Sequence, residues 1–201
     1  MPDKIIEITR KNGVATVKTL SGDTLKIPSA LFLERRLHVN QPIEPDGYRM
    51  YMRQRGYAHA LEAAMKYLAL RERSRQEVRA RLRRSCYDEA VIEKVLDTLN
   101  LHDLVSDTRF AGQWAQSRAR KYGKKRIAQE LRMKGVSGEE AQDALDAIPE
   151  EEEYARALDQ ARKLAKKYQG EPRKLIQALL RRGYSFALAK KAAMEATAEK
   201  G

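Results

Sequence analysis

The strongest constraint on the fold of this chain is an internal repeat of its apolar residues. Residues 77–99 align with residues 126–148 without a gap, so that Val78 falls on Ile127. The other coincident pairs are Leu82 with Leu131, Ile92 with Ala141, Val95 with Ala144, Leu96 with Leu145, and Leu99 with Ile148. Such self-similarity is typical of tandem units that bury their apolar faces against one another. The pattern predicts a row of small helical repeats.

A third copy follows with weaker agreement. Ile176 and Leu180 align with Ile127 and Leu131. After a one-residue deletion, three alanines align with the apolar face of the last helix, namely Ala189, Ala192 and Ala193. The chain is therefore predicted to hold three tandem copies, and the third has the smallest core because alanine buries little apolar area.

Each copy is predicted to contain three helices. In the first copy their apolar positions are Ala58, Leu61, Met65 and Leu68, then Val78 and Leu82, then Ile92, Val95, Leu96 and Leu99. The last group has the i, i+3, i+4, i+7 spacing of one helix face. Ser74 with Glu77 and Ser137 with Glu140 have the spacing of capping boxes. The final helices begin at equivalent N-cap residues, each after an apolar residue that can staple the turn: Tyr87-Asp88, Val136-Ser137 and Tyr184-Ser185.

The first fifty residues have a different pattern. β-prone runs flank Asn12-Gly13, a dipeptide that favours a tight hairpin turn, and a second turn follows at residues 21–23. We expect a three-stranded meander, a short helix from Pro28 to about Arg36, and a linker at residues 42–47. The predicted fold class is mainly α, with three tandem three-helix repeats in an elongated array and a small N-terminal β-meander. The expected domains are 1–44 for the meander and short helix, then repeats at 45–104, 105–149 and 150–201.

Composition excludes several function classes. The single cysteine, Cys86, excludes a disulfide framework and favours the cytoplasm. No segment reaches the roughly 18 apolar residues of a membrane span. The three histidines are widely spaced, and no glycine-rich phosphate loop is present. We therefore expect no catalytic, cofactor-binding or metal site, and a cytoplasmic monomer that is not an enzyme and has no membrane contact.

Basic charge is the chemistry that remains. The formal net charge is +12, and the basic residues cluster in each predicted repeat. The candidate partner-binding or DNA-binding residues are Arg73, Arg79, Arg83, Arg118, Arg120, Lys121, Lys124, Lys125, Arg126, Arg132, Lys134, Arg181 and Arg182. A solvated helix face is the alternative for any one cluster, but recurrence in successive repeats favours an extended binding surface for a polyanion or an acidic protein.

Two sets of aromatic residues have separate interpretations. Phe110 and Trp114 lie four residues apart and are expected in the core of the second repeat. Tyr48, Tyr51 and Arg55 have the spacing of an exposed contact stripe on the helix that enters the repeats.

Four segments resemble motifs of the RecX proteins. They are residues 64–68 (AMKYL), 73–78 (RSRQEV), 107–111 (DTRFA) and 123–136 (GKKRIAQELRMKGV). The match runs from about Ala60 to Leu145 with its spacing intact. Ser106 departs from the usual acidic residue, and Lys124 stands where proline is common after the glycine.

The resemblance implies that the three repeats form an elongated curved array. It also implies a regulator that binds within the helical groove of the RecA–DNA filament. It implies inhibition of RecA ATP hydrolysis, strand exchange and co-protease activity in recombination and the SOS response. The expected partners are the RecA filament and the DNA within it. The basic residues supply a mechanism, since a basic array can bridge successive subunits and block access of a second DNA.

Two other functions remain open on the residues alone. One is a stand-alone nucleic-acid-binding protein, because the short helix pairs resemble a helix-turn-helix in outline. Against it, Glu139 and Glu140 lie where a recognition helix would meet bases. The other is a scaffold for a different acidic protein.

Overall fold

A computed structural model of the protein describes residues 3–168 and 171–198. The described chain forms two compact units, Met1–Ser106 and Asp107–Gly201. The first unit contains β1 (Asp3–Lys11), β2 (Val14–Thr19), β3 (Thr24–Pro28), α1 (Ser29–Arg35), β4 (Pro42–Ile43), α2 (Pro45–Leu68), α3 (Arg75–Arg84) and α4 (Glu89–Leu101). The second contains α5 (Asp107–Ala119), α6 (Lys124–Met133), α7 (Gly138–Asp146), α8 (Glu150–Lys167), α9 (Pro172–Arg181) and α10 (Phe186–Ala198). The outer ends of the first and last expected domains, residues 1–2 and 199–201, lie outside the described residues.

The N-terminal sheet is antiparallel with strand order β3-β2-β1-β4. Asn12 and Gly13 both have positive φ, as a type I′ turn requires, and the predicted hairpin is confirmed. Alternate residues such as Ile5, Val17 and Ile27 are fully buried in the core of this sheet.

The prediction of three strands followed by a linker at residues 42–47 was incomplete. Pro42 and Ile43 form a fourth strand, which pairs with Lys4 and Asp3 of β1. Helix α2 then begins at Pro45, with the proline at the start of the helix where its missing N–H costs nothing. A two-residue strand has too little sequence to show an alternating pattern, so only the paired edge of β1 reveals it.

The buried face of α2 differs from the predicted one. Ala60 and Ala64 are fully buried, whereas Met65 is half exposed and Ala58 is exposed. The small alanine side chains allow α2 to lie close to α4, and larger residues such as Leu61 pack at the edge of the same core. The sequence favoured the larger apolar residues, but the close helix contact selects the smaller ones.

The first two repeats have the predicted cores and helix starts. Val78, Leu82 and Ile92 are fully buried in repeat one, and Ile127 and Leu131 are fully buried in repeat two. The helix starts are capped by four predicted side chains: Ser74 Oγ accepts from Glu77 N, Asp88 from Ala90 N, Ser137 from Glu140 N, and Ser185 from Leu188 N. Ser137 and Glu140 form the full reciprocal capping box.

The register of the third repeat corrects the sequence alignment. Leu175 and Leu179 are fully buried, whereas Ile176 is half-buried and Leu180 is exposed. Leu175 and Leu179 therefore occupy the positions of Ile127 and Leu131, and no deletion separates them from the alanines of α10.

Turn geometry supports the same gap-free register. In each repeat, the residue two positions before the N-cap of the last helix has positive φ: Cys86 at 61°, Gly135 at 79° and Gly183 at 86°. These three residues occupy equivalent positions, four after the last buried leucine of each middle helix, which is Leu82, Leu131 or Leu179. The three-helix repeats thus share one helix-turn-helix geometry, and the predicted fold class of tandem helical repeats after a β-meander is confirmed.

Candidate partner-binding surface

The arginines of repeat one form a ladder of ion pairs. Arg75, Arg79 and Arg83 are spaced four apart on α3, and Asp97, Glu93 and Glu89 are spaced four apart on α4. The N···O distances are 2.7 Å for Arg75–Asp97, 2.8 Å for Arg79–Glu93 and 2.7 Å for Arg83–Glu89. Each arginine is thus matched by an acid across the helix pair. Two of the predicted binding residues, Arg79 and Arg83, therefore already have acidic partners within the first unit.

Arg73, a third predicted binding residue in the first unit, packs against an aromatic ring. Its guanidinium carbon lies 4.0 Å from the ring centroid of Tyr67, the geometry of a cation–π contact. Its Nε is buried. This arrangement holds the side chain on the protein surface rather than leaving it extended into solvent.

The expected aromatic stripe of residues 48, 51 and 55 is not an exposed contact surface. Tyr48 is 3% exposed and its ring centroid lies 5.3 Å from that of Tyr51. Arg35 stacks 4.1 Å from the Tyr51 ring, and Arg55 binds Glu34 at 2.7 Å. Helix α2 buries Tyr48 and packs Tyr51 against the sheet core, whereas Arg55 is exposed and pairs with Glu34.

Glu130 organises the basic residues of repeat two. Its carboxylate accepts two hydrogen bonds from Arg118, both at 2.6 Å, and one from Trp114 Nε1 at 3.1 Å. Arg126 Nε approaches the same carboxylate at 3.4 Å. The Glu130 side chain is 11% exposed. The hydrogen bonds from Arg118 hold the pKa of the Glu130 carboxyl below its usual value, so the group is charged at neutral pH.

Cations and aromatic rings alternate around this carboxylate. The charged groups of Arg118 and Arg126 lie 4.5 and 4.1 Å from the ring centroid of Tyr122. Lys134 Nζ lies 4.4 Å from the Trp114 ring, which stacks on the buried Phe110. The expected core position of Phe110 is confirmed, and Trp114 is half-buried beside it. Three of the predicted binding residues, Arg118, Arg126 and Lys134, are thereby fixed in position.

Two turns of the second unit meet through their backbones. Gly123 N donates to Arg182 O at 2.9 Å, and Lys125 N donates to Gly183 O at 3.1 Å. A Cβ added at Gly123 would lie 2.5 Å from the Gly183 carbonyl oxygen, closer than side-chain atoms tolerate. The turn between α5 and α6 therefore lies directly against the turn between α9 and α10. Residues far apart in sequence share one surface as a result.

This contact brings together cations of repeats two and three. Within residues 3–168 and 171–198, seven of the predicted binding residues have no ion pair to an acid: Arg120, Lys121, Lys124, Lys125, Arg132, Arg181 and Arg182. Five of them are exposed, and Lys124 and Arg182 are half-buried. We refer to these seven residues as the basic surface. Glu150, Glu151 and Glu153 line one pocket with Lys124 and Lys125 but form no ion pair with them, so the charge of the basic surface is available to an external anion.

Sequence reasoning missed the pairing that divides the cations into two classes. The ladder had a visible signal, since three arginines and three acids each recur every fourth residue. Glu130 had a weaker one, as the i+4 neighbour of Arg126. Nothing in the sequence indicated the contact between Gly123 and Gly183, because single glycines at turns are common.

Three models of RecX domains match the chain in tandem. The first three-helix domain matches residues 60–99, the second matches residues 106–145 and the third matches residues 150–192. The chain belongs to the RecX family. Apart from Ser106, the residues that match the family's second and third domains lie in the second compact unit described above.

Relatives and solved structures agree with this assignment. The regulatory protein RecX of Amycolatopsis mediterranei is 36% identical over 140 residues, which are 66% of this chain and 80% of that protein. The RecX proteins of Leptothrix cholodnii and Prosthecochloris aestuarii are 39% and 42% identical, over 54% and 43% of this chain. The chain aligns with 66% and 58% of the length of these two relatives. A crystal structure of RecX from Lactobacillus salivarius has a TM-score of 0.64 at 26% identity, over 70% of this chain and 96% of that one.

Membrane insertion and metal binding are two other functions that the described residues can be compared with. No helix among them has the length and apolar character to cross a membrane. No group of three or more histidine, cysteine or acidic side chains within those residues has the arrangement of a metal site. The RecX relatives carry the name of regulatory proteins, and a regulatory role is what family membership supports here.

Proposed function

We propose that this chain binds the RecA–DNA filament and mainly inhibits it. In this proposal the chain lowers RecA ATP hydrolysis, strand exchange and co-protease activity, and so restrains recombination and the SOS response in the cytoplasm. It acts by binding and not by catalysis. Membership of the RecX family supports a regulatory role, and the basic surface supports the kind of partner.

The observation that carries the proposal is the basic surface itself. Cations from two repeats meet at the contact between Gly123 and Gly183, and no acid among the described residues pairs with them. A filament of protein on DNA presents phosphates and carboxylates, and arginine and lysine bind both groups. The ion pairs of repeat one give the contrasting case, since arginines matched by acids have little charge left for a partner.

The test is charge reversal at three exposed members of the basic surface. Arg120→Glu, Lys121→Glu and Lys125→Glu are combined, and RecA ATP hydrolysis on single-stranded DNA is measured with substoichiometric protein. We expect the wild-type chain to inhibit RecA ATP hydrolysis. The triple variant should reach the same inhibition only at a concentration at least roughly tenfold higher. A matched control reverses Lys4, Lys11 and Lys26, which lie on the N-terminal sheet and change the net charge equally. Unchanged inhibition by the first variant would refute the role of the basic surface.

A stand-alone nucleic-acid-binding protein is the second candidate, because the same cations suit free DNA. A salt titration separates the two. Binding to free duplex should weaken with a slope of about −0.9 per phosphate neutralised. Tighter and less salt-dependent binding to preformed RecA filament than to free DNA favours the first proposal. Equal affinity and equal slope for both favours the second.

A further inference from the structure

The second unit exposes large apolar side chains in one region. Among its described residues these are Met133 at 72% exposure, Leu180 at 39%, Phe186 at 60% and Met194 at 55%. All four belong to α6, α9 and α10. The core of repeat three does not need them, since it is built from Leu175, Leu179 and the alanines of α10. Exposed apolar area without a packing role is typical of an interaction site.

Comparison of the repeats shows where these residues lie. In the gap-free register, Leu180 and Phe186 occupy the positions of Arg83 and Glu89, which form an ion pair in repeat one. Ile176 and Lys190 occupy the positions of Arg79 and Glu93, and Met194 that of Asp97. Repeat one therefore covers this face with its ladder of ion pairs. Repeat three presents apolar side chains and one lysine on the same face.

A groove continues this face toward repeat two. Leu180 and Met133 both line it, together with Lys125, Arg126 and Arg181, and its volume is about 510 Å³. Apolar side chains and cations thus share its wall with Gln129, Gly183, Tyr184 and Glu130, whose carboxylate already binds Arg118. We call Met133, Leu180, Phe186 and Met194 the apolar face.

The charges beside the apolar face indicate its partner. Lys125, Arg181 and Lys190 have no acidic partner among the described residues. Two copies of this chain would bring these cations together, and like charges at an interface are costly. An apolar segment flanked by aspartate or glutamate is complementary to both the apolar residues and the cations.

We propose that the apolar face docks on an acidic, amphipathic segment of the protein component of the filament. The basic surface beside it then faces the polyanion, so one unit contacts both components. This inference rests on the proposed function for the identity of the partner. It adds that the protein is held by apolar contacts that salt does not screen.

The test separates protein binding from DNA binding. Leu180→Gln and Phe186→Gln are combined, and affinity is measured for RecA filament preassembled on single-stranded DNA and for the same DNA alone. We expect the affinity for filament to fall roughly tenfold or more and the affinity for free DNA to be unchanged. The matched control combines Leu70→Gln and Leu101→Gln, which are 77% and 81% exposed in the first unit, and should bind both as the wild type does.

A second variant guards against a folding defect. Met133→Gln with Met194→Gln changes the other two exposed members of the apolar face. Circular dichroism melting checks that each variant folds. Wild-type affinity for filament in both variants would overturn the inference and leave the proposed function standing. Absence of filament binding by the wild type would overturn the proposed function and this inference with it. Two further outcomes would also overturn the inference. If the wild type is a dimer that the variants convert to a monomer, the apolar face binds a second copy of this chain. If the wild type binds anionic phospholipid vesicles and the variants do not, the face binds a lipid surface.

Discussion

Gly123 and Gly183 lie in direct backbone contact, although they are sixty positions apart in the chain. The amide of Gly123 donates to the carbonyl of Arg182, and Gly183 accepts from Lys125. A side chain at either glycine would overlap the backbone of the opposite turn. The basic surface depends on this contact, because it places the cations of repeat three beside those of repeat two.

Gly183→Ala should destabilise the second unit strongly. Its φ of 86° is unfavourable for alanine, and the new Cβ would overlap the backbone nitrogen of Arg126. We expect a loss of about 2–4 kcal/mol in the free energy of unfolding, measured by urea denaturation. Gly22→Ala is the control, since its φ is 94° and nothing lies within 4 Å of its added Cβ. Equal losses for both variants would show that the close contact adds nothing.

Glu130→Gln should loosen repeat two and change the environment of the single tryptophan. The substitution leaves Arg118 without its charged partner, at a cost of about 1–3 kcal/mol. Because Trp114 Nε1 bonds to the same carboxylate, its fluorescence emission should shift as well. Glu139→Gln, on an exposed side chain, is the control and should change neither the stability nor the emission.

The same carboxylate predicts how stability depends on pH. The pKa of Glu130 is lower in the folded state than in the unfolded state, mainly because of Arg118. Its contribution is therefore complete above the unfolded pKa of about 4.3 and is lost as the pH falls through the folded pKa. Urea denaturation of the wild type and of Glu130→Gln at pH 7 and near pH 3 measures this. The difference between them should shrink at the lower pH, and a constant difference would contradict the assignment.

Arg79→Ala should leave filament and DNA binding close to wild type. The side chain already pairs with Glu93 at 2.8 Å, so little of its charge is free. Loss of a partly exposed ion pair should cost at most about 1 kcal/mol of stability. Arg120→Ala is the comparison, because that side chain is exposed and has no acidic partner among the described residues. A larger binding defect for Arg79→Ala than for Arg120→Ala would place the interface on the first unit instead.

Cys86→Gly should stabilise the first unit slightly. Cys86 has φ of 61° at the turn where the other repeats have Gly135 and Gly183. Glycine removes the strain of this conformation, although it adds entropy to the unfolded chain, so we expect a net gain near 0.5 kcal/mol. Cys86→Val should lose about 1 kcal/mol or more, because a β-branched side chain disfavours this conformation further. Calorimetric melting of both variants measures the difference.

The sequence by itself determined the elements whose causes are local. The repeat of Val78 and Leu82 as Ile127 and Leu131 fixed two helical units. Capping residues such as Ser137 fixed where helices begin, since a side chain two or three residues away completes the hydrogen bond. Asn12-Gly13 fixed the hairpin in the same way. These signals concern neighbours along the chain, so no tertiary information was needed to read them.

The tertiary structure decided what depends on contacts between distant residues. It selected Leu175 over Ile176 as a core residue, because apolar side chains next to each other satisfy the same periodicity and only packing distinguishes them. It also divided the arginines into those matched by an acid, such as Arg79 with Glu93, and those left free, such as Arg120. Charge in a sequence is additive, but charge available to a partner depends on which groups meet in space.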